Sequence, residues 1–188
     1  MQIKHLSAND TKTTNWNQGK TAEYYIYPES CDYANKDFLF RVSSATIDEQ
    51  PARFTIFIGY TRYLAMLNNQ LAISINRNKT IKDKYEIIKF KSEDDTIAYA
   101  TGKDFNLMIK EDIKEHDVIY DSGFFTYDNS FVIVYATKNC EVFVQNESYQ
   151  MQENDCLIIE NSAKKSFELI TPTKVIIAYL NLVHDGAF

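Results

Sequence analysis

Short runs of β-branched and aromatic residues follow one another along almost the whole chain, and nowhere does an apolar stripe persist at the helical spacing of about 3.6 residues. Local pattern predicts strands over Tyr24 to Tyr27, Phe38 to Ile47, Tyr60 to Leu67, Gln70 to Asn76, Tyr85 to Phe90, Thr96 to Ala100, Asp117 to Tyr120, Phe131 to Thr137, Cys140 to Gln145, Cys156 to Glu160 and Val175 to Leu182. Asn, Asp, Gly, Lys or Pro separates them. The best helical candidate is a single turn near Lys110 to Glu115. So many short strands in 188 residues predict an all-β sandwich or barrel.

A repeat sharpens that expectation. Sliding the second half back by about 70 positions lays Ile133 to Asn146 over Tyr63 to Asn76 as two similar hairpins, with Asn139 on Asn69 and Asn146 on Asn76. The register continues, placing Cys156-Leu-Ile158 over Glu86-Ile-Ile88. The second half, with turns at Lys138-Asn139 and Asn146-Glu147 and the run Glu153 to Ile159, resembles the strand cadence of cupin barrels. The predicted fold class is therefore all-β with two double-stranded β-helix (cupin-like) barrels fused in one chain, a bicupin. The expected first barrel is 20–110 and the second 111–188, with an N-terminal strand contributing. No Pro/Gly/Ser-rich linker divides them, which predicts one compact body over 1–188.

Charge and cysteine content remove several function classes. With 20 Lys+Arg against 26 Asp+Glu the formal charge is −6, and no basic block offers a face for a phosphate backbone, so nucleic acid is not an expected partner. Cys31, Cys140 and Cys156 are odd in number and form no CxxC pair, which argues for reduced thiols over disulfides or structural zinc. The N-terminus lacks a signal-peptide pattern and no apolar run approaches membrane-helix length, so the expected location is cytoplasmic, with no membrane partner. A barrel metal site needs converging imidazoles and a carboxylate, often with two His one residue apart; His5, His116 and His184 are isolated, so neither a metal nor another cofactor is expected. Nucleophile-elbow, Walker and dinucleotide motifs are absent too.

What stands out is polar residues inside apolar strands. A period of two puts Arg41, Ser43 and Ala45 on one face, and Asp104, Asn106 and Met108 on another, while Arg62 lies at the start of a strand. Two arginines among Ser, Thr and Asn donors suit a small carboxylate, since guanidinium binds carboxylates in a bidentate fork. The competing reading is a buried structural pair, Arg41 or Arg62 with Asp104, because buried charges demand partners whether or not a ligand exists.

These same segments resemble the HutD/Ves family. The resemblance rests on Trp16-Asn-Gln-Gly19-Lys-Thr21 followed by Tyr27-Pro28, on Phe38-Leu-Phe-Arg41-Val-Ser43-Ser-Ala45, on Phe54-Thr-Ile-Phe57-Ile-Gly59-Tyr-Thr-Arg62, and on Asp104-Phe-Asn106-Leu-Met108, in the family's order. Where the family has a paired Gly after the Trp, an FPG, and basic residues after the Met, this chain has Gln18-Gly19, Phe57-Ile58-Gly59 and Ile109-Lys110-Glu111. The resemblance implies a bicupin-like fold, no established reaction, and a regulatory role in histidine utilisation, sensing an acidic metabolite such as a formylated amino acid. It implies ligand-binding positions at Trp16, Thr21, Arg41, Ser43, Arg62, Asp104 and Asn106.

The preferred expectation is a non-catalytic binding module for a small acidic metabolite. One alternative is a metal-independent cupin-type isomerase or lyase using Asp104, Tyr60 or His116 as acid or base. Another is an interaction protein, such as a homodimer formed through a sheet face or edge.

Overall fold

The computed structural model describes residues 1–182. Its strands are β1 (Gln2–Leu6), β2 (Lys12–Trp16), β3 (Gly19–Tyr27), β4 (Phe40–Ile47), β5 (Ala52–Arg53), β6 (Tyr60–Met66), β7 (Leu71–Ile75), β8 (Asn78–Lys82), β9 (Ile88–Lys91), β10 (Thr96–Ala98), β11 (Gly102–Lys110), β12 (His116–Tyr127), β13 (Phe131–Tyr135), β14 (Cys140–Val144), β15 (Glu147–Met151), β16 (Cys156–Glu160) and β17 (Phe167–Leu180). The helical turn expected near Lys110 to Glu115 is not formed; a turn without helix follows β11, and the helical segment among the described residues is a short 3-10 turn at Ala8–Asp10. Charges clustered there without an apolar stripe, so nothing held a helix to a core.

The chain divides into two compact units, Thr11–Asp112 and Met1–Asp10 with Ile113–Phe188. In the first, a six-stranded sheet runs β2-β3-β4-β11-β6-β9 and a four-stranded sheet runs β5-β10-β7-β8, all neighbours antiparallel. Leu64, Met66 and Ile88 of the larger sheet pack with Leu71, Ile73 and Ala98 of the smaller in one core cluster. Phe38, Phe57, Tyr60 and Met108 form a second core cluster. Each such side chain contributes about 1.5–3 kcal/mol by leaving water. Close backbone approach matters at Gly19. A Cβ there would lie 1.9 Å from the Thr46 carbonyl oxygen. Gly19→Ala is expected to cost roughly 1–3 kcal/mol in urea unfolding, and a variant as stable as the parent would show that β3 and β4 can part without penalty.

In the second unit one sheet runs β1-β16-β13-β17-β14-β15, with β12 also paired to β17. Val132, Val134, Leu157, Ile159, Val175 and Ile177 are its fully buried centre. The pairing succession β12-β17-β13-β16 has the same form as β4-β11-β6-β9 in the first unit. Strand β17 spans what β10 and β11 divide, its first part pairing β14 and its last part pairing β13.

The 70-residue overlay thus matches equivalent strands, but its hairpins are not hairpins. Strands β6 and β7 lie in different sheets, and β13 and β14 each pair β17 and not each other. The true hairpin turns come one strand later. They lie at Asn76-Arg77, with φ of 49° and 68°, between β7 and β8, and at Gln145-Asn146, with φ of 55° at Gln145, between β14 and β15. Positive φ at such central positions gives the twist that two-residue hairpins need.

Candidate functional site

All seven sequence-selected positions, Trp16, Thr21, Arg41, Ser43, Arg62, Asp104 and Asn106, lie on the wall of one cavity of about 420 Å³ within the Thr11–Asp112 unit. Register explains the convergence. Three rows cross the six-stranded sheet on its inner face: Ile26-Arg41-Met108-Arg62-Phe90, then Glu23-Ser43-Asn106-Leu64-Ile88, then Thr21-Ala45-Asp104-Met66. Side chains two apart on one strand share a face, so the face that supplies Leu64 and Met66 to the core also aims Arg62 inward. Trp16 comes from the end of β2, opposite Gly19.

The two arginines are held differently. Arg41 donates from Nε to Glu23 Oε2 at 2.6 Å and from Nη1 to Ser43 Oγ at 3.2 Å, and its guanidinium lies 4.2 Å from the centre of the Tyr33 ring. Its charge is thus balanced inside the unit. Arg62 donates from Nη2 to Ser92 Oγ at 2.9 Å and to the Thr55 carbonyl at 3.3 Å, with Met108 Sδ at 3.6 Å and the Phe54 ring centre at 5.4 Å. Among the described residues it has no carboxylate in ion-pair contact, and its buried Nε has no hydrogen-bond partner. Burial therefore pushes its pKa down to about 10.

Asp104 is 1% exposed and accepts a hydrogen bond at Oδ1 from the Ala45 N–H at 3.0 Å. Desolvation pushes its pKa up to about 7, against the Ala45 bond and the attraction of Arg62, which favour the ionised form. The structural pair expected of Asp104 with an arginine is not made among the described residues; Glu23 takes Arg41 instead. Register explains this, because Glu23 is opposite Ser43 on β3, one strand from Arg41, whereas Asp104 lies two rows from both arginines. Buried Asn106 Oδ1 and Trp16 Nε1 also lack partners among the described residues.

Tyr60 and His116, named beside Asp104 as acid or base candidates, do not line the cavity. Tyr60 is buried elsewhere and donates to the Lys36 and Phe38 carbonyls; His116 begins β12 in the other unit. His184 lies outside the described residues. Glu23 and Tyr33, which hold Arg41, are among the wall residues that sequence reasoning missed. Thr21 and Glu23 are two apart and could have been found by period, but Tyr33 sits in the loop between β3 and β4, where no period operates. Among the described residues no group of three or more His, Cys, Asp or Glu is placed to hold a metal ion. The arginine-rich inner wall, without an imidazole, does not suit one either. No helix among the described residues is long and apolar enough to cross a membrane.

Curled antiparallel sheets around a polar cavity are the features of a cupin-like protein, and solved structures agree. Bacterial pirin YhhW from Escherichia coli, a nickel(II) complex, matches with a TM-score of 0.64 at 8% identity over 96% of this chain and 99% of its own. The sequence pattern of the HutD family matches residues 8–177, and the chain belongs to that family. HutD from Pseudomonas fluorescens SBW25, solved in a formate condition, has a TM-score of 0.81 at 20% identity over 96% of this chain and 98% of its own. A conserved protein of unknown function from Pseudomonas aeruginosa PAO1 has a TM-score of 0.82 at 18% identity over 97% and 100%. No curated protein sequence matches the chain.

Proposed function

We propose that this HutD-family protein is a cytoplasmic, metal-independent binding module for a small carboxylate metabolite, of the kind that serves histidine utilisation, built from two cupin-like barrels of one repeated strand plan. The observation that carries the reading is Arg62, a guanidinium 4% exposed on a cavity wall with no carboxylate in ion-pair contact among the described residues. A buried cation without a counter-charge is costly, and a ligand carboxylate in bidentate contact removes that cost. Arg41, already neutralised by Glu23, adds a second positive edge, while Ser43, Asn106, Thr21 and Trp16 orient the ligand. A volume of about 420 Å³ admits a metabolite of a few carbons' length. A second reading, a metal-free isomerase or lyase, is favoured by Asp104, whose pKa near 7 suits proton transfer at neutral pH.

Thermal unfolding with glutarate and butyrate as probes tests the binding reading. A ligand held at a hundred times its Kd stabilises by about 2.7 kcal/mol, which for a chain of this size raises Tm by roughly 5–10 °C. That shift should vanish in Arg62→Ala. Absence of any shift with the parent, or a shift that survives Arg62→Ala intact, sinks the proposal. Proton exchange into a bound probe, lost in Asp104→Asn, would favour the enzymatic reading.

A further inference from the structure

Charge on the cavity wall is either paired or exposed to solvent, with two exceptions of opposite sign. Arg41 is paired with Glu23, and Arg53 with Asp95. Lys12 and Asp32 are exposed to solvent at the rim. That leaves Arg62, 4% exposed, and Asp104, 1% exposed, as the deeply buried charged groups of the wall with no ionic partner in contact among the described residues. Asn106 stands between them, 8% exposed, on the row that separates theirs, and its Oδ1 has no donor. Same-face positions on a strand are about 7 Å apart. The inner face therefore presents, row by row, a cation with a free N–H at Arg62 Nε on β6, then an unfilled acceptor at Asn106 and an acid at Asp104 on the adjoining β11.

We infer that the ligand is a zwitterion of amino-acid type, its carboxylate on Arg62 and its ammonium between Asn106 Oδ1 and the Asp104 carboxylate. The inference rests on the carboxylate reading above and narrows it to one chemical class. A plain carboxylate satisfies Arg62 and leaves the Asn106 oxygen and the buried acid as they were. An ammonium group satisfies both, and its charge keeps Asp104 ionised against the burial that favours its neutral form. The wall is then neutral overall but polarised, which complements a molecule that is itself neutral and polarised. Asp104 sets specificity here, and Arg62 supplies affinity.

Matched pairs of probes differing only by the amino group test this on the full chain. Titration calorimetry compares γ-aminobutyrate with butyrate and L-glutamate with glutarate. The amino member of at least one pair should bind about tenfold to a hundredfold more tightly, the range expected for one charged hydrogen bond. Asp104→Asn, close in shape and neutral, should bring that ratio near one while retaining binding of the desamino acid. Asn106→Leu should also reduce the ratio, and it serves as the reporter if Asp104→Asn does not fold. Equal or tighter binding of butyrate and glutarate overturns the zwitterion and leaves the carboxylate reading standing. Preference for the amino acid that persists in both variants overturns the assignment of Asp104 and Asn106. No binding of any of the four probes to the parent overturns both readings.

Discussion

Asp104→Asn is expected to raise the melting temperature at pH 8 by about 5–10 °C and to leave it almost unchanged near pH 4. The acid's ordinary pKa of 3.8 rises to about 7 in the folded chain, so the native state holds this proton more tightly than the unfolded state does. Stability linked to the group is fully present below about pH 4 and is lost as pH rises to about 7, above which the loss is complete. A separation of about three units corresponds to about 4 kcal/mol, and relaxation around the charge reduces what is realised. An amide keeps the oxygen that receives the Ala45 N–H and carries no charge into the buried site. Calorimetry of parent and variant across this pH range measures the difference directly. A variant less stable than the parent at pH 8, or a difference independent of pH, would mean that Asp104 is already stabilised as an anion by its surroundings.

Glu23→Gln should act in the opposite direction, lowering stability by about 3 kcal/mol at neutral pH. The Arg41 side chain is 7% exposed and that of Glu23 19%, so the pair is mostly shielded from water. Losing the carboxylate charge leaves a buried guanidinium whose remaining contacts among the described residues, the Ser43 hydroxyl and the Tyr33 ring, are neutral, as is the new amide. Adding Arg41→Met to Glu23→Gln should recover most of the loss, because a broken buried pair costs more than a pair replaced on both sides. Urea unfolding of both single variants and the double variant gives the coupling. Additive losses would show that the two side chains do not depend on each other.

Family membership and the strand-rich fold could be read early for a common reason. Both depend on side-chain type at fixed spacing, and runs such as Phe131–Tyr135 or Phe40–Ile47 are buried on enough positions to carry a strong apolar signal. Strands β2, β8 and β15 were not recognised, because Lys12–Trp16, Asn78–Lys82 and Glu147–Met151 are mostly exposed and have little reason to alternate. All three lie at sheet ends, where polar side chains discourage pairing with another chain. For β11 only the middle, Asp104–Met108, showed alternation, yet that segment was enough to select two wall residues.

Residue order by itself determined which side chains share a face of each strand, and hence that Arg41 with Ser43, and Asp104 with Asn106, would point the same way. It also determined the equivalence of the 70-residue segments. Only tertiary structure decided that those faces meet on adjoining strands of one sheet, that β6 and β7 part into separate sheets, and that Arg41 is answered by Glu23 while Arg62 and Asp104 are left apart. The physical reason is range. The alternation of side chains is a property of neighbouring peptide units, whereas partnership between charges depends on strand register over separations of 18 residues for Glu23 and Arg41 and more for Arg62 and Ser92, set by the packing of the whole unit.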